Sequence, residues 1–266
     1  MRLGLIFIFS SLTLFRLPAV GKPLKSCELP FFLPVSTSLP VFDLDLFQIY
    51  ENEIKELKSL QKAALSAALQ AKNQAAIAEF YNKNKSVEAL TSQTDRPKKN
   101  QTKQILQSLI NHPVIGEKAA QKYDPANEIG FCFGRAAYVH FQLLRLGVNP
   151  QHIAKVFVMG GLFRAGVGWE YHVATIVQDK SGTWLVIDSL VDEVLTLENW
   201  MRTVSQWDSN RLFPKLRFYF MDASKFQPTR GSYEATRLYS PIYRGYFKDL
   251  LLWFAAENCL KPETSK

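Results

Sequence analysis

The sequence predicts an α+β fold in which a helical N-terminal part precedes a helix backed by an antiparallel sheet. Three observations carry this. Residues 47–81 contain neither Gly nor Pro and place Leu57, Leu60, Ala64, Ala68 and Leu69 at helical spacing, with Ile77 and Phe80 one face further on. From Phe133 to Leu146, residues Ala136, Ala137, His140, Phe141, Leu143 and Leu144 form a second helical ladder, and Gly147 follows as a C-terminal stop. Beyond it come short β-branched and aromatic runs, Lys155–Met159, Tyr171–Gln178 and Trp184–Asp188.

Taken in order, the chain opens with Arg2 and an apolar run from Leu3 to Leu14, too short for a membrane span of about 20 residues. It suits a signal peptide over residues 1–21, ending near Leu17-Pro18-Ala19-Val20-Gly21, and implies a secreted or periplasmic protein. Prolines at 23, 30, 34 and 40 make residues 22–46 extended and irregular. The periodic segment 47–81 reads as one long helix or two stacked ones. Residues 82–103 are polar and read as a boundary and a protease-sensitive linker. A short helix is expected over Lys103–Ile110, stopped before Pro113, and Tyr123-Asp124-Pro125 is a loop.

In the second half, Gly160-Gly161 is expected to end the first strand. Together with Gly166-Val167-Gly168 it brackets either a mobile loop or a hairpin turn. Asp179-Lys180-Ser181-Gly182 turns the chain between the next two strands. Asn199–Val204 reads as a short helix and Leu216–Met221 as a further strand. The tail, alternating Tyr, Phe and charge, is expected to pack against the sheet.

The chain has 266 residues, enough for one sizeable core. Its 47% hydrophobic content excludes wholesale disorder. The formal charge of +8 comes from dispersed Lys and Arg, and the densest group, Arg96 to Lys103, reads as a solvated linker rather than a nucleic-acid surface. Three cysteines suit one disulfide and one free thiol in an exported chain. Cys27 with Cys259 would tie the termini and leave Cys132 free, although three pairings are open on sequence.

Cys132, His172 and Asp188 form the constellation that carries chemistry. Cys132 heads a helix, where free N–H groups and a partial positive charge favour a thiolate. If residues 179–183 form a five-residue turn, 178 faces 184 and Asp188 faces Ala174. Asp188 then shares the face of His172, diagonal to it and about 7–8 Å away between backbone positions. The carboxylate would orient the imidazole, and the other ring nitrogen would meet the thiol if the helix packs on that face. His112, His140 and His152 have simpler structural readings. A zinc site would need the same three residues as ligands and is not the favoured reading.

The segment Gly130-Phe131-Cys132-Phe133-Gly134-Arg135-Ala136 resembles the nucleophile motif of secreted bacterial protein-glutaminases, in which Cys is followed after two residues by Arg-Ala. The runs Lys155-Val156-Phe157-Val158, Trp169-Glu170-Tyr171-His172-Val173-Ala174 and Trp184-Leu185-Val186-Ile187-Asp188-Ser189 are similar to the same family in order and approximate spacing. It departs at Ser189, where the family pattern has Pro. The resemblance spans roughly residues 128–205. It implies a papain/transglutaminase-like core with Cys132 as nucleophile, His172 as general base and Asp188 as orienting carboxylate. It also implies deamidation of glutamine side chains in proteins or peptides, with no cofactor. Residues 22–110 would then be a pro-region, possible as an intramolecular inhibitor, or a helical accessory domain, and residues 111–266 the catalytic domain.

Around the triad, Arg135 either contacts substrate or forms a buried ion pair between helix and sheet. Trp169 and Tyr171 wall an acyl groove or simply pack, and Trp200 supports the Asp188 loop. The Cys132 backbone N–H is the first oxyanion donor, with a second expected from the 126–129 loop. Competing readings are transglutaminase-type crosslinking, a cysteine protease, and a non-catalytic secreted binding protein on the same scaffold.

Overall fold

Both faces of the sheet are covered by helices, which is why the strands read as near-continuous apolar runs rather than alternating ones. The computed structural model describes residues 45–88, 96–229, 233 and 238–260, so the expected signal peptide and Cys27 lie outside the described residues. The helices are α1 (Leu46–Glu56), α2 (Lys62–Glu88), α3 (Lys99–Ile110), α4 (Glu117–Ala120), α5 (Cys132–Arg145), α6 (Leu197–Ser205) and α7 (Tyr246–Leu260). The strands are β1 (Ile153–Arg164), β2 (Val167–Gln178), β3 (Trp184–Ile187), β4 (Leu195–Thr196) and β5 (Arg217–Asp222). They form one antiparallel sheet in the order β4-β3-β2-β1-β5.

One face packs Phe157, Met159, Val173, Val177, Leu185 and Ile187 against α3, α5 and α7. The other packs Val156, Val158, Ala174, Ile176 and Trp184 against Leu197, Trp200 and Val204 of α6 and Phe80 of α2. A fully buried Leu or Phe on either face is worth roughly 1.5–3 kcal/mol of transfer free energy.

Several elements differ from the sequence reading. The helical segment takes the two-helix form of the two that were open, but α2 runs on to Glu88 through residues whose polarity suggested a linker. The tail forms a helix, α7, whose buried Leu250 and Phe254 share the core cluster of the sheet, as the sequence reading expected of the tail. Gly160-Gly161 does not end β1. It forms a bulge where the register shifts between Met159 and Leu162, and the strand continues to Arg164. Gly160 supplies the required φ of +124°, and a side chain on Gly161 would lie 2.5 Å from Ser209 Oγ. Ala165 (φ 52°) and Gly166 (φ 84°) then close a two-residue hairpin, so the glycines bracket a turn and not a loop.

The disulfide expected from the sequence is not borne out. No disulfide occurs among the described residues, and Cys132 is free and buried. Cys259 falls at the end of α7, its side chain outside the described residues. α7 packs on α5: the Tyr246 ring lies against Gly134, where a Cβ would come within 2.5 Å. No helix among the described residues is long and apolar enough to cross a membrane.

Candidate active site

The β2–β3 turn places the acid and the base. Gln178 pairs with Trp184 and Thr175 with Ile187, the register expected from a five-residue turn. Asp179 sets that turn by accepting from the N–H groups of Ser181 and Thr183. The β2–β3 ladder stops at Thr175 and Ile187, and Asp188 follows directly, its other oxygen accepting from Leu190 N–H at 3.0 Å. Its Oδ2 meets His172 Nε2 at 2.7 Å, with both side chains buried. Trp200 Nε1 donates to the same oxygen at 2.9 Å, so Trp200 supports Asp188 directly. Trp200 also stacks on the imidazole at 6.0 Å between centroids, and Trp207 meets the ring edge-on at 6.1 Å.

The loop before α5 places the thiol. Asp124 is buried and accepts from the N–H groups of Glu128, Ile129 and Gly130 at 2.8–2.9 Å. Gly130 (φ 75°) and Phe131 (φ 46°) then take the left-handed conformation, and Cys132 is the first helical residue. A bulky residue at positive φ needs its surroundings to hold it there. Phe131 is buried and stacked on Tyr246 at 4.0 Å and 8°. It provides no side-chain cap for α5, so no side chain of the capping position occupies the N–H groups of the first turn.

Cys132 does not approach His172 across a shared sheet face. The face of β2 that α5 packs against is that of Val173, whereas the His172 ring lies between tryptophans of the opposite side. His172 and the Val173 N–H both act on the sulfur and favour its ionised form. His172 Nδ1 is buried and has no hydrogen-bond partner among the described residues, and Cys132 acts on the imidazole to raise it.

The electrostatics follow from this geometry. Burial pushes the Cys132 thiol up, but His172, Arg135 and Val173 N–H outweigh it, and the thiol is held below its ordinary value. Burial lowers His172; Asp188 and Cys132 raise it further, to about 9. Burial raises Asp188, and His172 with its hydrogen-bond donors brings it below the usual carboxylate range. These directions favour a thiolate–imidazolium pair, titrating as a coupled unit.

Arg135 is half-buried and makes no ion pair among the described residues, contrary to the expected helix–sheet bridge; its charge acts on Cys132, Tyr171 and Tyr246. Tyr171 is half-buried, Phe47 meets its ring edge-on, and burial and Cys132 raise its phenol well above the ordinary value. Trp169 is half-buried in the cluster around Trp200. Three of the four N–H groups of the 126–129 loop are already taken: Asp124 holds those of Glu128 and Ile129 by its side chain and that of Asn127 by its backbone oxygen.

Sequence reasoning missed Asp124, Trp207 and Val173 N–H. An Asp just before Pro125 and six residues ahead of Gly130 is a loop-former signal; the other two are set only by tertiary packing. The remaining histidines are structural. His112 accepts from Val114 and Ile115 N–H, His140 meets Tyr233, and His152 meets Gln178. Among the described residues no group of three His, Cys, Asp or Glu side chains is placed to hold a metal ion.

No family model matches this chain, and no curated protein does. Among solved structures, the NMR structure of protein-glutaminase from Chryseobacterium proteolyticum is similar at 18% identity and a TM-score of 0.40, covering 64% of this chain and 94% of that one. That likeness is too distant to carry an argument about the site.

Proposed function

We propose that this chain is a cysteine amidohydrolase with a papain/transglutaminase-like core that converts glutamine side chains in proteins or peptides to glutamate. The observation that carries the reading is the 2.7 Å contact of His172 Nε2 with Asp188, which leaves Nδ1 buried and unpartnered, beside the mutual electrostatic influence of His172 and the free thiol that begins α5. Such an arrangement suits acyl transfer. The choice of glutamine rests on the protein-glutaminase-like motif around Cys132.

In this reading the Cys132 thiolate attacks the carboxamide carbon. A carbon–sulfur bond forms, and the carbonyl π pair moves to oxygen, where the Cys132 N–H stabilises it. The imidazolium of His172 gives its proton to nitrogen, the carbon–nitrogen bond breaks, and ammonia leaves. His172 then takes a proton from water as its oxygen attacks the thioester, and the collapse releases glutamate and regenerates the thiolate. Asp188 keeps the ring oriented throughout. Residues 22–110 are proposed as a pro-region or accessory part; Phe47 of α1 meets Tyr171, the neighbour of His172 on β2, edge-on at 5.7 Å.

The test is to incubate the full chain with a glutamine peptide and free lysine and to identify the products by mass spectrometry. Amide-to-acid conversion of an intact peptide supports the reading. Lysine adducts would replace it with crosslinking, and shortened peptides with proteolysis.

A further inference from the structure

We infer that Thr175 is a positioning residue of the site, its buried hydroxyl fixing the helix that begins with Cys132 against the strand that carries His172. This deepens the amidohydrolase reading and rests on it. Thr175 Oγ1 donates to the Ala136 C=O of α5 at 2.7 Å, and the residue is wholly buried. It stands between Val173 and Val177 on the face of β2 that α5 covers, where a Val of nearly the same shape would bring no polar atom. A hydroxyl buried there costs free energy unless it is bonded, and its bond runs to another element. The carbonyl keeps a second lone pair for its helical partner, so the bond disturbs no turn of α5. Around it, α5 meets the sheet through Phe133, Ala136, Val139 and Leu143. Apolar attraction is non-directional: it presses the helix down without fixing its slide or rotation. The directional Thr175 bond fixes both. Chain direction decides where this acts. α5 ends at Arg145 and the chain turns into β1 at Ile153, which faces Val177. The last turn of α5 therefore lies toward Val177 and its first residue toward His172. From the bonded pair, Cys132 is four residues back along α5, about 6 Å, and His172 is three residues back along β2, about 10 Å. A helix that slips at the Ala136 carbonyl carries the sulfur with it, while the imidazole stays with Asp188 and Trp200.

Thr175→Val removes the hydroxyl at nearly constant shape, and Thr175→Ser keeps it. Two readings are taken on the full chain: ammonia release from a glutamine peptide, and the pH dependence of Cys132 alkylation by iodoacetamide. Asp188, which acts on the imidazole, and Arg135, which acts on the thiol, are untouched in both variants. For Thr175→Val the expected result is a fall of about 10- to 10²-fold in kcat with KM little changed. Alkylation moves to higher pH, toward the ordinary thiol range near about 8.5. Thr175→Ser restores both. Thermal midpoints of the variants show that each is folded under assay, and Thr175→Ala gives the same reading should the Val variant fail to fold. Unchanged kcat and alkylation in Thr175→Val would overturn the inference. So would equal impairment in Thr175→Ser, since the methyl group and not the hydroxyl would then matter. A lowered thermal midpoint with an unmoved alkylation profile would also overturn it, as the sign of a purely structural role. Should the wild-type chain release no ammonia, the glutamine reading fails while the alkylation profile still decides on Thr175.

Discussion

At the residue scale, His172 is the group whose protonation the site controls most visibly. Asp188 and Cys132 raise it to about 9 against the lowering effect of burial, while the Cys132 thiol is brought down. Activity that needs thiolate and imidazolium together therefore rises as the thiol ionises, below the ordinary thiol range, and falls near pH 9. Asp188→Asn removes the group that lifts the imidazole, leaving burial to lower it. The alkaline limb then moves to lower pH, and kcat falls by about 10²- to 10⁴-fold. A pH–rate profile reads both, and an unmoved alkaline limb would contradict the assignment. The stability linkage has the same sign. A folded-state pKa raised above the ordinary 6.5 contributes stability that is full below that value and is lost as pH rises through about 9. The single residues that matter were partly legible in sequence: Cys132, His172 and Asp188 declare themselves by type, order and strand parity. Trp207 and Val173 N–H do not, because an aromatic wall and a backbone donor leave no pattern in the residue string.

At the element scale, the start of α5 is the part under constraint. Phe131 holds a left-handed conformation because its ring is stacked on Tyr246, and the Tyr246 ring in turn occupies the space where Gly134 lacks a side chain. Gly134→Ala places a Cβ 2.5 Å from that ring. The ring is pinned by Phe131 and Tyr123, so the overpacking is expected to cost roughly 1–3 kcal/mol in denaturant unfolding. Activity should fall as well, because the Phe131 stack sets the direction of the Cys132 N–H. Unaltered stability and activity would show that α7 yields freely. The sequence announced α5, its Gly147 stop and the β2–β3 turn through periodicity and turn chemistry, which are local. It misread Gly160-Gly161, since a bulge and a strand end use the same residues and differ only in what the partner strand does. It left the tail's secondary structure unassigned, because α7 is apolar around much of its circumference and such a helix shows no stripe.

At the scale of the whole molecule, the N-terminal helices are fastened to the outer edge of the sheet. Asn73 of α2 donates to Leu216 C=O at 2.8 Å and accepts from Phe218 N–H at 3.0 Å, taking the place of a further strand beside β5. Arg217 pairs with Glu53 of α1 at 2.6 and 3.2 Å and also donates to Asn73. Asn73→Ala leaves these backbone and guanidinium groups without the amide, and is expected to cost about 1–3 kcal/mol in unfolding free energy. It should also raise amide exchange along β5 before β2; uniform protection across both strands would contradict this. The same helices bring Phe47 against Tyr171, so the N-terminal part reaches the proposed site itself. The central claim is that Cys132 turns over glutamine amides, and ammonia release from a glutamine peptide tests it most directly, assayed with the full chain before and after limited proteolysis beside Cys132→Ser. The account predicts ammonia that depends on Cys132, with any gain after proteolysis marking the N-terminal part as inhibitory. No ammonia from either form, with a thiol that stays inert to iodoacetamide near neutral pH, would contradict it.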